Sequence, residues 1–229
     1  MKLAVMQPYL FPYYGYFQLI HSVDKFVLYD DANYIKQGYI NRNSINVDGA
    51  ERNFIVPVIG ASSNKKIKDL LFSDDVKKSL AMIRQSYSKA PNYNKIYPIV
   101  EETFKTPNRS IVTVCQNGIE SVCNYLDIKT EIIKSSELSY NRELTAAGKL
   151  IDMSLILNCS HYINNIGGKK LYDKGLFIDH GVELSFLKSS CINYESNGVC
   201  FESNLSIIDV LMWLDSEKIK KYLKEYELV

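Results

Sequence analysis

Residues able to do chemistry fall in a few short stretches of this 229-residue chain. Asp30 and Asp31 end an apolar run, where paired carboxylates could bind a metal, orient a ribose or take a proton from a nucleophile. The same pair also suits an ordinary strand-to-loop turn. Lys36, Asn41, Arg42 and Asn43 follow closely, and a guanidinium fork, an ammonium and two neutral amides can hold a phosphate or carboxylate. Lys36 and Arg42 also stand near enough in sequence to pair with Asp30. Upstream, Gln7, Tyr9, Tyr14 and Tyr16, with Tyr34 beyond, supply an amide and aromatic faces for a sugar or nucleobase, unless those rings pack the core. Gly167-Gly168-Lys169 lets backbone approach a ligand beside an ammonium, without the spacing of a phosphate-binding P-loop.

Other reactive side chains give weaker patterns. His161 sits in an apolar stretch, where a lone histidine is more often a satisfied core residue than a catalyst. Cys115, Cys123, Cys159, Cys191 and Cys200 form no CxxC pair and show no local nucleophile signature, so they read as reduced thiols of a bacterial-type cytosol. No third ligand is fixed by spacing beside the aspartates, so no metal site is expected.

These residues need strands and helices to bring them together. Lys2 to Met6 is a continuous apolar run, as expected of a central parallel strand covered on both faces. Gln7 to Gly15 carries two prolines and a glycine and must turn. Tyr16, Phe17, Leu19, Ile20 and Val23 then mark a helix face, and Lys25 to Tyr29 a second strand, which makes a right-handed βαβ unit. Asp48-Gly49 between Ser44–Val47 and Arg52–Val58 predicts an antiparallel hairpin over the sheet's edge. Asn64 to Asp69 reads as a solvated turn.

Residues 73–127 read as a helical insert, with Ser73 and Asp74 as candidate caps and breaks at Ala90-Pro91 and Pro107-Asn108. A second βαβ series follows: strands at Lys129–Lys134, His161–Ile163 and Val182–Leu187, with helices at Thr145–Leu157 and near Lys170–Phe177. Asn204-Leu205-Ser206 caps a helix over Ile207–Leu214, and Ser216–Tyr226 reads as a charged terminal helix. The expected fold is a single Rossmann-like α/β domain, mostly parallel, with flanking helices, the hairpin and the insert. Ligands of such sheets sit beyond the strands' carboxyl ends, which directs attention to the loops Gln7–Tyr16, Asp30–Asn43, Ser135–Tyr140 and Asn164–Tyr172.

Composition narrows the class. A net charge of +1 gives no electrostatic footprint for nucleic acid, and no stretch reads as a membrane span or signal peptide. Seventeen tyrosines against one tryptophan are unusual and fit ligand sites as well as wet cores.

In MQPYLFPYYGYFQLI, VDKFVLYDDANYIKQGYINRN, the Pro57-Val58 strand end, and more weakly in INNIGGKKLY and NLSIIDVL, the chain resembles the WbqC-like family of bacterial proteins over most of its length. That resemblance implies a role in O-antigen or other surface-polysaccharide biosynthesis. Gly15-Tyr16-Phe17-Gln18-Leu19-Ile20 also lies where nucleotidylyltransferase-like folds place a phosphate-binding motif, with Tyr16 in place of that motif's histidine. The expectation is a cytoplasmic transferase that acylates or aminoacylates the amine of a nucleotide-linked amino sugar. Its activated donor would be a carrier-protein thioester, an acyl-CoA or an acyl adenylate. Asp30 or Asp31 would take the amine's proton, Lys36 or Arg42 would hold the anionic donor or diphosphate, and the tyrosines would pack the sugar. The alternatives are a non-catalytic sugar-nucleotide-binding or assembly protein and a Cys-dependent hydrolase or transferase.

Overall fold

The computed structural model of the chain describes residues 1–190, 192, 194–196, 199–200 and 204–229, with backbone alone at 195, 196, 199 and 200. Cys191 and the Cys200 side chain lie outside the described residues. The elements run β1 (Lys2–Met6), α1 (Tyr14–His21), β2 (Lys25–Leu28), β3 (Arg42–Val47), β4 (Ala50–Ile55), β5 (Val58–Ile59), β6 (Leu71–Phe72), α2 (Lys77–Tyr87), α3 (Tyr93–Phe104) and α4 (Ile111–Tyr125). They continue with β7 (Glu131–Lys134), α5 (Ala146–Ile156), β8 (His161–Asn165), α6 (Lys174–Ile178), β9 (Glu183–Ser189), β10 (Glu195–Ser196), β11 (Val199–Cys200), α7 (Ile207–Trp213), α8 (Ser216–Tyr222) and β12 (Tyr226–Leu228).

The main sheet has the order β12-β9-β8-β1-β2-β7, parallel except for β12. The apolar run of β1 is a central strand because both its faces are covered. Leu3 and Val5 join Leu150, Met153 and Phe177 beneath α5 and α6. Ala4 faces the larger core, shared by α1, the hairpin, the three helices of residues 77–125, and α7 and α8. From β1 the chain passes to β2 on one side and later returns through α5 to β8 on the other. The strand order therefore reverses at β1, and the adjoining strand ends diverge there, leaving room for a ligand.

The hairpin forms at its Asp-Gly turn, where Asp48 and Gly49 both take left-handed backbone (φ 51° and 83°). It pairs only with itself and packs against α2 and α7, not over an edge of the main sheet. Four further expectations are corrected. Ser73 and Asp74 do not cap α2: the Ser73 hydroxyl takes the Asp75 amide, Asp74 meets Arg109 at 3.2 Å, and the helix starts after Val76. Asn64–Asp69 is more than a solvated turn, because Ile67 is fully buried in it. The short helix after β8 begins at Lys174, since Ile166–Lys170 forms a 3-10 turn. The terminal helix stops at Tyr222, where the buried Gln18 amide donates to the carbonyls of Tyr222 (3.1 Å) and Glu225 (2.8 Å) and turns the chain into β12 against the open edge of β9. Among the described residues, no helix is long and apolar enough to cross a membrane.

The turn between β1 and α1 is braced from afar. Phe11 holds left-handed backbone (φ 45°), an uncommon state for a bulky residue. Its carbonyl accepts hydrogen bonds from Asn43 Nδ2 and Ser206 Oγ, both at 2.7 Å, and the Pro12 carbonyl accepts the Ile207 amide at 2.9 Å. Asn43→Ala and Ser206→Ala should each lower unfolding free energy by about 1–3 kcal/mol. The double variant should lose more than the sum, because the buried carbonyl is then bare. Urea unfolding of the four proteins measures this, and strict additivity would refute the shared brace.

Candidate functional site

The carboxyl ends of β1 and β8 flank a pocket of about 400 Å³, in the range of small-molecule sites. The β1 turn supplies Gln7, Tyr9 and Tyr13 to its wall, β8 supplies Tyr162, Asn164 and Asn165, and the 3-10 turn supplies Gly167 and Gly168. The turn is held in shape because the Tyr16 hydroxyl donates to the Gln7 carbonyl (2.9 Å) and the Tyr16 ring backs that of Tyr9, with centroids 5.6 Å apart. Asn165 donates its amide to the Tyr13 hydroxyl, which joins the β1 turn to the end of β8. Burial pushes the Tyr13 phenol up to about 12, so at neutral pH it faces the pocket as a neutral hydroxyl.

Two glycines act differently here. A Cβ at Gly168 would stand 2.8 Å from Asn164 Nδ2, so the close approach of that amide needs a glycine. A Cβ at Gly167 would meet nothing within 4 Å, and that position opens toward free space. Tyr162 is fully buried and stacked on Phe177 at 5.6 Å.

A second pocket of about 530 Å³ shares the Tyr29 wall and is lined by Asp31, Asn33, Lys66, Lys68, Tyr140, Arg142 and Lys149. Between the ends of β2 and β7 the two aspartates form a buried knot. Asp30 accepts from the Ser136 amide (2.8 Å) and the Ser136 hydroxyl (2.7 Å). The single Ser135 hydroxyl proton lies within reach of Asp30 Oδ1 (2.9 Å) and Asp31 Oδ1 (2.5 Å), and its oxygen accepts the Asp30 amide. Asp31 further accepts from Tyr140 OH and Arg142 Nε, both at 2.8 Å. Burial alone would raise the Asp31 carboxyl, but hydrogen bonds from Ser135, Tyr140 and Arg142 and the Arg142 charge bring it below the usual carboxylate value.

Of the residues singled out from sequence, Gln7, Tyr9, Gly167 and Gly168 line the first pocket and Asp31 the second. Asp30 lies buried beside it. Tyr16 braces the turn from beneath. Asn43 holds Phe11, while Asn41 accepts from Tyr34 OH (2.9 Å) and donates to the Val56 carbonyl (3.0 Å). Tyr14 is buried on the α8 side of α1. Lys36 and Lys169 are exposed outside both linings, and Arg42 donates to the Gln37 carbonyl. The cation paired with this carboxylate cluster is thus Arg142 with Asp31, not Lys36 or Arg42 with Asp30.

His161 is at the opposite, amino end of β8, its Nε2 hydrogen-bonded to Ser185 Oγ (2.9 Å). The Cys115, Cys123 and Cys159 thiols are buried, and burial raises all three, Cys123 to about 12, which leaves them poor nucleophiles. No group of three or more metal-ligating side chains converges among the described residues.

The knot has a consequence for acid stability. A carboxyl lowered on folding contributes stability that is complete above its unfolded value, near pH 4, and is lost as pH falls through the lower folded value. Asp31→Asn should therefore be less stable than the wild type at neutral pH and lose less stability on acidification below about pH 4. Urea unfolding across pH checks this, and parallel curves for the two proteins would contradict it.

The sequence itself has relatives. A model of the WbqC-like protein family matches residues 7–221. The chain is 26% identical over 224 residues to the uncharacterized protein Rv1507c of Mycobacterium tuberculosis (strain ATCC 25618 / H37Rv), covering 94% of this chain and 95% of that one. No solved structure matches. The chain belongs to the WbqC-like protein family.

Proposed function

We propose that this protein is a transferase that acylates or aminoacylates the amine of a nucleotide-linked amino sugar during O-antigen or other surface-glycan biosynthesis. The observation that carries the reading is the meeting of two pockets at Tyr29, one walled by tyrosines and amides, the other rimmed by cations. Such a pair suits two substrates held side by side. A Rossmann-like assignment of the fold agrees with this: renumbered in sequence, the strands stand in the order 3-2-1-4-5-6 of doubly wound nucleotide-binding sheets, with the last antiparallel.

In this reading Tyr9 and Tyr13 pack the sugar ring, and Gln7, Asn164 and Asn165 meet its hydroxyls. The donor is an activated acyl group, as a coenzyme A or carrier-protein thioester or an acyl adenylate. The amine nitrogen attacks the acyl carbon, a C–N bond forms, and the bond from that carbon to the thiol sulfur or phosphate oxygen breaks. The amine's proton leaves with the departing group or to water. An amine attacking an activated ester gains most from orientation, so Asp31, whose accepting oxygens already face donors, serves to fix Arg142 and Tyr140. The same saturation favours the second reading, a sugar-nucleotide-binding or assembly protein that catalyses nothing.

A UDP- or dTDP-linked amino sugar should raise the melting temperature, and with a labelled acyl thioester or ATP plus acid should yield the amide. Asn165→Ala and Tyr9→Ala should weaken binding about tenfold or more by loss of an amide contact or an aromatic face. Binding without amide formation would select the second reading. Absence of any nucleotide-sugar response would refute both.

A further inference from the structure

We infer that the cleft lined by Lys66, Lys68, Arg142 and Lys149 is a binding site for a diphosphate group. Four cationic and two acidic side chains line it, and the charges are unevenly satisfied. Arg142 is committed: its Nε holds Asp31, and its other nitrogens donate to the carbonyls of Ser135, Leu138 and Tyr140. Among the described residues the Lys66 ammonium has only the neutral Asn33 Oδ1, at 2.8 Å. Lys68 reaches an exposed Asp69 at 3.3 Å. Lys149 is half-buried; its amide donates to the Thr145 carbonyl at 2.9 Å, while its ammonium makes no ion pair or hydrogen bond among the described residues. The second lining acid, Glu143, is exposed and likewise outside every ion pair described.

Lys149 also stands where helix electrostatics oppose it. It follows Ala146, Ala147 and Gly148 at the start of α5, whose first turn carries no acidic residue. The amino end of a helix is already positive and ordinarily attracts carboxylates, so an unpaired ammonium there adds like charge to like. Only Gly148 among those first amides is taken by the Thr145 cap, at 3.1 Å. A cationic helix start whose half-buried ammonium lines, with Lys66 and Lys68, a cavity of about 530 Å³ is a potential that a polyanion relieves. The positive excess and the size of the cleft suit a diphosphate better than a lone carboxylate.

Ala146 lines the first pocket as well, so the start of α5 lies between the two. A diphosphate over it reaches the tyrosine-walled pocket with whatever it carries. Its bearer is the sugar nucleotide or a coenzyme A-type donor, and that identity rests on the transferase reading above.

Isothermal titration of the intact protein with inorganic pyrophosphate tests the site. Binding is expected at low ionic strength, weakened by salt, and reduced about tenfold or more in Lys66→Ala/Lys149→Ala. Tyr9→Ala should leave it unchanged. Neither lysine has a carboxylate partner among the described residues, so the double variant should keep its melting temperature, and Lys66→Gln/Lys149→Gln repeats the test with side-chain length nearly preserved. Titrations with UDP and with coenzyme A then name the bearer, as the one whose affinity falls in the double variant. No pyrophosphate binding to the wild type, or equal binding to the double variant, overturns the inference. Sugar nucleotide and coenzyme A that each bind both proteins equally would sink the diphosphate site and leave the transferase reading standing. Lysine-dependent pyrophosphate binding with no response to sugar nucleotide or acyl donor would do the reverse.

Discussion

Parallel strands deliver their carboxyl ends to one edge, and the polar groups collected there must satisfy one another or face a ligand. At the β2 and β7 ends the first solution holds: the Ser135 hydroxyl and the Ser136 amide and hydroxyl close around Asp30, while Ser135, Tyr140 and Arg142 close around Asp31. Two buried carboxylates without those donors would be costly. With them, the knot fixes the loop after β7, and through it the Arg142 guanidinium over the Tyr140 ring at 4.5 Å. At the β1 and β8 ends the groups are left less satisfied. The amides of Gln7, Asn164 and Asn165 border open space. A closed knot and an open pocket thus stand on the same edge.

Local pattern was enough for most elements. The run KLAVM announces a strand buried on both faces, and Asp48-Gly49 announces its hairpin by the backbone angles it permits. Ser206 caps α7 as its type and position suggest. What stayed hidden depends on residues far apart. The turn of the chain into β12 is set by Gln18, some two hundred positions away, and the start of α2 by Arg109 drawing Asp74 aside.

Sequence reading led to the loops that line the cavity more readily than to the side chains facing it. Gln7, Tyr9, Gly167 and Gly168 line it, whereas Tyr14, Tyr16, Tyr34, Asn41 and Asn43 are used within the scaffold. A tyrosine that braces a backbone carbonyl and one that walls a pocket look alike in one dimension. Arg142 was not legible as the partner of Asp31, because 111 residues separate them, while Lys36 and Arg42 stood close in sequence only. Asn164, Asn165 and Tyr172 fell inside a loop already singled out by its place after a strand, and Tyr13 sat beside the chosen tyrosines. Lys149 carried a signal of its own: a lysine at a helix start with no acid beside it.

In the proposed function the open part of the carboxyl edge receives a nucleotide-linked amino sugar. A crystal structure of the protein with a UDP-linked amino sugar tests it most directly. The sugar is expected between Tyr9 and Tyr13 of the β1 turn and Asn164 and Asn165 of β8, with the nucleotide's phosphates on the α5 side. Density for the ligand anywhere else, such as among α2, α3 and the hairpin, with an empty pocket at β1 and β8, would contradict it.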